Sequence, residues 1–232
     1  MTKSVLITGA SRGLGQCLVD RFTAEGWLVF AGHRQLAGSS TPVRDVSDRL
    51  TLVGLDVRDQ ASVSRAAKLV SERTRGLDVL LNNAAINPQP EYEAPLGELD
   101  FEAIALTFDV NALGPLRVVQ SFSSLLERGT SKLIVNVSSE AGSLQHSWRD
   151  RAYGYCMSKA ALNMQTTILD RALAPRGIRA IALHPGWMRT DMGGPNATLD
   201  PADSARGMYE VIVGAGPETP RFVQHDGQPF PW

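Results

Sequence analysis

The fold of this chain is decided by the stretch Val5-Leu6-Ile7-Thr8-Gly9-Ala10-Ser11-Arg12-Gly13-Leu14-Gly15. Its apolar beginning, 5–7, predicts a buried strand, and the pattern over 13–25 predicts a helix directly afterwards. Three glycines lie in the turn between the two elements. A strand, a glycine-rich turn and a helix in this order are typical of the first unit of an open parallel α/β sheet.

The same alternation continues along the chain. Continuous apolar runs, as expected for strands buried on both faces, occupy 4–8, 27–31, 50–55, 79–81, 133–137 and 178–183. Helical patterns lie between them, over 13–25, 59–75, 98–127 and 153–173. Asp59 is placed to cap the second of these helices and Gly76 to stop it. We therefore predict an α/β fold in which a central, mostly parallel, doubly wound sheet is flanked by helices.

Domain organisation follows from the stretches between these elements. Two polar segments, 35–49 and 186–203, carry no clear period, and the second is expected to be a mobile loop with a functional role. Neither they nor any other segment is a Ser/Gly/Pro linker long enough to divide domains. Residues 1–232 are predicted to form a single Rossmann-type domain.

Composition excludes several classes of protein. The 232 residues include 23 basic and 24 acidic side chains, so there is no general basic field for nucleic acid. No apolar run reaches the length of a membrane span, and no signal peptide is expected at the start. Cys17 and Cys156 lie far apart, outside any zinc-binding pattern. We expect a cytoplasmic protein without a metal and without nucleic-acid or membrane partners.

The glycine-rich turn has a specific chemical use. Gly9 allows the tight turn out of the strand, Gly13 lets the backbone approach a pyrophosphate, and Gly15 lets the helix pack against the sheet. The helix N-terminus presents free N–H groups and the positive end of its dipole to the anion. The spacing predicts a dinucleotide site. A glycine-rich turn without a ligand is the alternative.

The end of the second predicted strand indicates which dinucleotide is bound. An NAD site usually has an acidic residue there for the ribose 2′-hydroxyl, whereas this chain has His33 and Arg34. Arg12 in the glycine turn adds a second guanidinium. Two arginines suit the 2′-phosphate of NADP(H), so NADP(H) is predicted in preference to NAD(H). Alternatively, both arginines are surface charges, and His33 is either a third contact or an exposed neutral side chain.

A second group of residues predicts proton-transfer chemistry. Tyr155 and Lys159 are four residues apart in a predicted helix, so they share one face. An ammonium near a phenol is expected to lower the pKa of the phenol, which makes proton exchange with an alcohol or carbonyl oxygen easier. Ser138 and Ser139 follow a buried strand, at the edge of the sheet where ligands of open α/β sheets bind. Asn83 and Ala84 follow a neighbouring strand.

Together these residues resemble the short-chain dehydrogenase/reductase family. The resemblance rests on the TGASRGLG turn, Asp56-Val57, the NNAA run, Asn111, the serine pair and the YCMSK motif. It implies that Tyr155 is the general acid/base, that Lys159 lowers the pKa of Tyr155 and holds the nicotinamide ribose, that Ser139 binds the substrate oxygen, and that Asn111 anchors a relay water. The cofactor contacts it implies are Gly9, Ser11, Arg12, Gly13, Leu14, Gly15, Arg34, Asp56, Val57, Asn83, Ala84, Tyr155, Lys159, Pro185, Gly186, Met188 and Thr190.

The later segments, YGYCMSKAALNM, HPGWMRTDMGG and the C-terminal GQPFPW, are similar to the C-factor/sniffer branch of the family. That branch implies an NADPH-dependent enzyme that acts on a small-molecule carbonyl or alcohol, and the family implies a homodimer or homotetramer. Segments 87–97, 140–152 and 187–203 are predicted to form the substrate mouth. Two alternatives stay open, a cofactor-binding signalling protein in which turnover is incidental, and a nucleotide-sugar epimerase or dehydratase. His146 in the 140–152 loop is either a second catalytic group or a surface side chain.

Overall fold

A computed structural model describes residues 2–38, 43–88 and 94–232. Its strands are β1 (Ser4–Ile7), β2 (Leu28–His33), β3 (Val43–Ser47), β4 (Leu50–Gly54), β5 (Val79–Asn82), β6 (Leu133–Val137), β7 (Arg179–His184) and β8 (Phe222–Gln224). Its longer helices are α1 (Gly13–Ala24), α2 (Gln60–Ser71), α3 (Phe101–Phe108), α4 (Gly114–Arg128), α5 (Tyr153–Leu173) and α6 (Pro201–Val213). A π-helical segment, Asp109–Leu113, joins α3 to α4.

The eight strands form one sheet in the order β3-β4-β2-β1-β5-β6-β7-β8. Every neighbouring pair is parallel except β3 and β4. The winding direction reverses between β1 and β5, so a crevice opens beyond the carboxyl ends of these two strands. Ligands of open α/β sheets bind at this position. The predicted doubly wound, mostly parallel fold is confirmed.

Apolar side chains are buried on both faces of the sheet. Along β1, Val5 and Ile7 point to one face and Leu6 to the other, as strand geometry requires. The first face packs against α1 and α6, where the rings of Phe22, Trp27 and Tyr209 meet edge to face. The second face packs against α2, α4 and α5. Both faces are covered, which explains why the strands read as continuous apolar runs.

The predicted helix over 98–127 is wrong as a single element. The structure has a short turn, Leu96–Glu98, followed by α3, the π segment and α4. Pro115 at the start of α4 lacks the N–H that a regular helix would direct to the carbonyl of residue 111, so the turn widens there. The dipeptide Gly114-Pro115 was the sequence feature that could have predicted this break between the two helices.

Three elements lie outside the predicted pattern. The loop predicted over 186–203 ends at Asp200, whose carboxylate caps α6 by accepting a bond from the Ala202 N–H. An Asp followed by Pro201 is a recognisable helix start. β3, inside the predicted loop 35–49, and β8 are edge strands of five and three residues, too short for a clear periodic pattern.

Among the described residues, no helix is long and apolar enough to cross a membrane.

Candidate active site

The glycine turn closes tightly after β1, as its sequence predicts. Gly9 has a positive φ of 64°, and a side chain there would place its Cβ 2.8 Å from the Ala84 Cα. A Cβ on Gly15 would clash with the Gly9 carbonyl oxygen. Gly13 also has a positive φ, of 54°. A side chain at Gly9 would therefore collide with the segment after β5, and one at Gly15 with the turn itself.

The N-terminus of α1 differs from those of α2, α3 and α6. Those three helices are capped by the carboxylates of Asp59, Asp100 and Asp200. α1 begins after Arg12, whose side chain makes no cap bond, and its first turn contains no acidic residue. Its first amides are left for an anion, so this end of the helix fits the pyrophosphate of a dinucleotide. Leu14 can contribute only its N–H, because its side chain is buried in the core.

Side chains after β5 hold the glycine turn in place. The Asn83 amide donates to the carbonyls of Thr8 and Gly9, at 2.9 and 3.1 Å. The Thr8 hydroxyl accepts from the N–H groups of Asn83 and Ala84, both at 3.0 Å. The NNAA segment and the turn are therefore one bonded unit at the sheet edge, and the small Ala84 side chain leaves this crevice open.

The end of the crevice beyond β2 and β4 carries positive charge. Arg34 is exposed immediately after β2. Arg44 on β3 lies close enough to His33 that its charge, after burial, helps to lower the pKa of His33. Asp56, after β4, accepts from the Arg58 N–H, and Val57 beside it is buried against Gly114. Sequence reasoning missed Arg44, because β3 was not recognised.

The loop after β7 lies against the glycine turn. Asp191 of this loop pairs with Arg12 at 2.6 Å, and both side chains are 79% exposed. The loop is folded rather than irregular, since Trp187, Arg189 and Leu199 exchange main-chain hydrogen bonds. This loop contains four of the residues predicted to contact the cofactor, which are Pro185, Gly186, Met188 and Thr190. The Thr190 methyl lies 3.6 Å from where a Gly13 Cβ would be, whereas Met188 packs partly into the core.

Tyr155 and Lys159 lie on the first turns of α5, on the same face. The Lys159 Nζ is 5.7 Å from the centre of the Tyr155 ring and donates to the Val137 carbonyl at 2.8 Å. Burial lowers the pKa of Lys159 to about 8. Burial, and then the charge of Glu140, raise the pKa of Tyr155 to about 12, against smaller opposite effects of Ser139 and Arg149. The predicted lowering of the Tyr155 pKa is wrong for this arrangement of protein groups, because burial and the Glu140 charge raise it, while the Lys159 ammonium donates to the Val137 carbonyl.

Ser139 is the member of the serine pair that faces Tyr155. Its hydroxyl donates to the Glu140 carboxylate at 2.6 Å and accepts from the Ala141 N–H at 3.1 Å. Ser138 instead donates to Asn163 at 2.6 Å, inside the protein. The Glu140 carboxylate also accepts from Arg149. Sequence reasoning attached no role to Glu140, since no pattern marks the residue after the serine pair.

Asn111 is buried in the π segment, and its side chain is held on both sides. Its Oδ1 accepts from the Ile86 N–H, and its Nδ2 donates to the Ile86 carbonyl, both at 2.9 Å. The same Nδ2 donates to the Ser158 hydroxyl at 3.1 Å. Ser158 lies on α5 between Tyr155 and Lys159, so Asn111 connects the segment after β5 to the helix of the proposed proton-transfer groups. Ser158 was not singled out from the sequence.

Exposed aromatic and aliphatic side chains lie on the two segments that follow β6 and β7. They are Leu144, Trp148, Trp187 and Met192. His146 lies in the same region, where its ring packs 5.4 Å from that of Phe230. Tyr92, which was also expected at the mouth, lies outside the described residues.

Comparison with known proteins identifies the family of this chain. The sequence model of the family described as short chain dehydrogenase matches residues 3–199. C-signal of Myxococcus xanthus is 44% identical over 160 residues, which are 68% of this chain and 95% of that protein. Galactitol 2-dehydrogenase of Agrobacterium fabrum is 34% identical over 187 residues, 79% of this chain and 70% of that protein.

Solved structures are similar over the whole chain. The NADPH-bound carbonyl reductase from chicken fatty liver superposes with a TM-score of 0.86 at 31% identity, covering 100% of this chain and 99% of its own. The carbonyl reductase Sniffer of D. melanogaster gives 0.88 at 28% identity, with both chains covered completely. The glycine turn, the Tyr155–Lys159 pair and these matches together place the chain in the short-chain dehydrogenase family of oxidoreductases.

Proposed function

We propose that this protein is an NADP(H)-dependent oxidoreductase that interconverts a carbonyl and an alcohol on a small molecule. The observation that carries the proposal is the position of Tyr155, Ser139 and Lys159. They lie together at the carboxyl end of β6, beside the crevice that begins at the glycine turn. The NADPH-bound carbonyl reductase from chicken fatty liver, similar over the whole chain, supports the same activity.

In the proposed reaction bound NADPH would supply the hydride to the carbonyl carbon and become NADP⁺. Tyr155 donates its phenolic proton to the carbonyl oxygen, so the products are the alcohol and a tyrosine anion that is later reprotonated. Lys159 and Asn111 belong to the proton path and to the positioning of α5. The oxygen of the substrate would lie between Tyr155 and Ser139.

The proposed cofactor sites follow the crevice. The amides of residues 13–15 would hold the pyrophosphate, Asp56 and Val57 the adenine, and Thr190 the carboxamide region. Arg12 and Arg34 would bind the 2′-phosphate, with Arg44 in support. The acid expected of an NAD site is missing from the sequence at the end of β2, which supports the preference for NADP(H).

The test follows NADPH oxidation by the protein with a panel of aldehydes, ketones and quinones. The wild-type protein should oxidise NADPH with at least one of them. Tyr155→Phe should lower the turnover rate by a factor of about 100 or more while NADPH binding is retained, because only the proton donor is lost. Wild-type turnover in Tyr155→Phe would refute the role of Tyr155. Cofactor binding with no turnover on any substrate would refute the enzymatic proposal.

A cofactor-binding signalling protein is the second candidate, and the similarity to C-signal favours it. The two functions separate in a cell that depends on this protein. If Tyr155→Phe protein supports the wild-type phenotype, binding rather than turnover is the function. If it does not, although it is folded and binds NADPH, turnover is required.

We also propose that residues 1–232 form one domain that assembles into a homodimer or homotetramer. The single sheet supports the first part. Met157, Met164 and Ile168 support the second, because they form an exposed apolar row on α5, at 45%, 62% and 57% exposure. The cytoplasmic location and the absence of nucleic-acid and membrane partners stay predictions from the sequence.

A further inference from the structure

The short turn Glu140–Gly142, which begins directly after Ser139, packs on the backbone of α5. The Gly142 N–H closes the turn by donating to the Ser139 carbonyl at 3.0 Å. A Cβ on Gly142 would lie 2.7 Å from the carbonyl carbon of Lys159 and 2.8 Å from its oxygen. Backbone atoms of a helix cannot move aside singly, so only glycine allows the turn to lie this close. The distance from Ser139 to α5 is therefore set by a contact between two backbones.

Asn163, one turn beyond Lys159 on α5, bonds to the chain on both sides of Ser139. Its Nδ2 donates to the Gly142 carbonyl at 3.0 Å, and its Oδ1 accepts from the Ser138 hydroxyl at 2.6 Å. A carbonyl can only accept, so the amide has one possible orientation. Asn163 is 4% exposed, and the loss of either bond would leave a buried polar atom unpaired. Asn163 thus connects the turn of Ser139 to α5.

We propose that Asn163 is a positioning residue, which holds the turn of Ser139 against α5 and so fixes the spacing between the Ser139 hydroxyl and the Tyr155 phenol. Tyr155 and Asn163 lie on one helix, about two turns apart, so the helix transmits the position of the turn to the phenol. The inference rests on the proposed function, because this spacing matters for catalysis only if both groups bind the same substrate oxygen. A displacement of about 1 Å between reacting groups can cost about 100-fold in rate.

The strand side of Ser139 is held independently of Asn163. The Ser138 N–H donates to the Leu183 carbonyl on β7 at 2.8 Å, so the sheet fixes the end of β6. Without the Asn163 side chain, the end of β6 keeps its place, while the turn beyond it loses its hydrogen bond to α5. The expected consequence is a local shift of Ser139 in a folded protein.

The first test is a double-mutant cycle on NADPH-dependent carbonyl reduction. Asn163→Ala should lower kcat by about 10- to 100-fold and leave the Kd of NADPH unchanged. In protein that already carries Ser139→Ala, Asn163→Ala should cost no more than about two-fold, because the group that it positions is gone. Thr167→Val removes another α5 hydroxyl, which donates to the Asn163 carbonyl at 3.3 Å, and is the matched control with wild-type kcat. Losses that multiply in the double variant would overturn the proposal.

Gly142→Ala disturbs the same contact from the side of the turn. Its added methyl group must push the turn away from α5, so it should also lower kcat, and again by little when Ser139→Ala is present. A fall in kcat that is the same with and without Ser139→Ala would contradict the role of this contact.

A further readout does not depend on turnover. Hydrogen–deuterium exchange of the peptide over 138–146 should be faster in Asn163→Ala than in the wild type, and unchanged in Thr167→Val. Unchanged exchange in folded Asn163→Ala would show that Asn163 does not hold the turn. If the wild-type protein reduces no carbonyl but exchange rises in Asn163→Ala, the proposed function fails, whereas the attachment of the turn by Asn163 stands.

Discussion

At the scale of single residues, the site depends on a few charges whose surroundings differ sharply. Arg34 is exposed at the end of the crevice, whereas Lys159 is 2% exposed between α5 and β6. An exposed guanidinium is free to bind a phosphate, and a buried ammonium is costly unless it is bonded. The two residues therefore lead to different kinds of prediction, one about ligand choice and one about stability.

Reversal of the charge at position 34 should change the choice of cofactor. Arg34→Glu should weaken NADPH binding by a factor of about 10 or more, because a charge-assisted bond to phosphate is lost and a repulsion takes its place. NADH binding should change little. Fluorescence titration of both cofactors measures the two Kd values. Arg206→Glu, an exposed arginine on α6, is the control, and an equal loss for NADH in Arg34→Glu would contradict the assignment.

The buried Lys159 makes stability depend on pH. Its folded-state pKa of about 8 lies below the ordinary value of 10.5, so between these two values the unfolded chain holds more protons. The free energy of unfolding contributed by this group therefore rises with pH across that window, by roughly 3 kcal/mol in full. Below pH 8 the whole cost of the buried charge is present.

Lys159→Met should remove this rise. Urea unfolding at pH 7, 8, 9 and 10 measures the free energy of unfolding at each pH. Over this range Tyr155, with its raised pKa, stays protonated. The slope is the readout, since the variant also leaves the Val137 carbonyl without its donor and loses stability at every pH. Lys68→Met, an exposed lysine on α2, should keep the wild-type slope. A wild-type slope in Lys159→Met would show that another group is responsible.

At the scale of elements, the loop after β7 and the glycine turn are joined by Arg12 and Asp191. Both belong to segments of the proposed dinucleotide site, so in that proposal Asp191 competes with the 2′-phosphate for the Arg12 guanidinium. An ion pair this exposed is worth at most about 1 kcal/mol. The Arg12–Asp191 pair is therefore expected to weaken NADPH binding, but only slightly.

Asp191→Asn should tighten NADPH binding by up to about five-fold, because Arg12 is released and a negative charge is removed near the phosphate. NADH, without the 2′-phosphate, should gain less. Both Kd values are measured by titration, at low and at high salt. Asp203→Asn removes the exposed partner of Arg206 on α6 and should leave both unchanged. Weaker NADPH binding in Asp191→Asn would mean that Arg12 does not reach the phosphate.

At the scale of the whole molecule, the apolar row on α5 is the feature with the largest expected consequence. A charge within a buried interface costs several kcal/mol, so Ile168→Asp should convert the proposed homodimer or homotetramer to monomers. Light scattering coupled to gel filtration measures the mass. Val46→Asp, an equally exposed position on β3, is the control. An assembly that survives Ile168→Asp would place the interface elsewhere.

Local patterns in the sequence were sufficient for most of the fold. Buried parallel strands are recognisable because most of their residues are apolar on both faces, and the helix over 153–173 was predicted with the bounds that the structure has. β3 was not predicted because a strand at the edge of a sheet carries polar residues where it faces solvent. The π segment was not predicted because the residues that form it, up to Pro115, are equally suited to a regular α-helix. The glycine turn and the Tyr155–Lys159 spacing pointed to the site because both motifs are short and contiguous.

The sequence by itself determined the six central strands of the sheet, the glycine turn and the residues around which proton transfer is proposed, since each depends on neighbours a few positions apart. Only the tertiary structure decided the electrostatics of that site. Glu140 reaches Ser139 and Arg149, Lys159 turns to the carbonyl of Val137, and burial raises rather than lowers the pKa of Tyr155. Charges act through distance and desolvation, and both arise from the packing of segments that are distant in sequence.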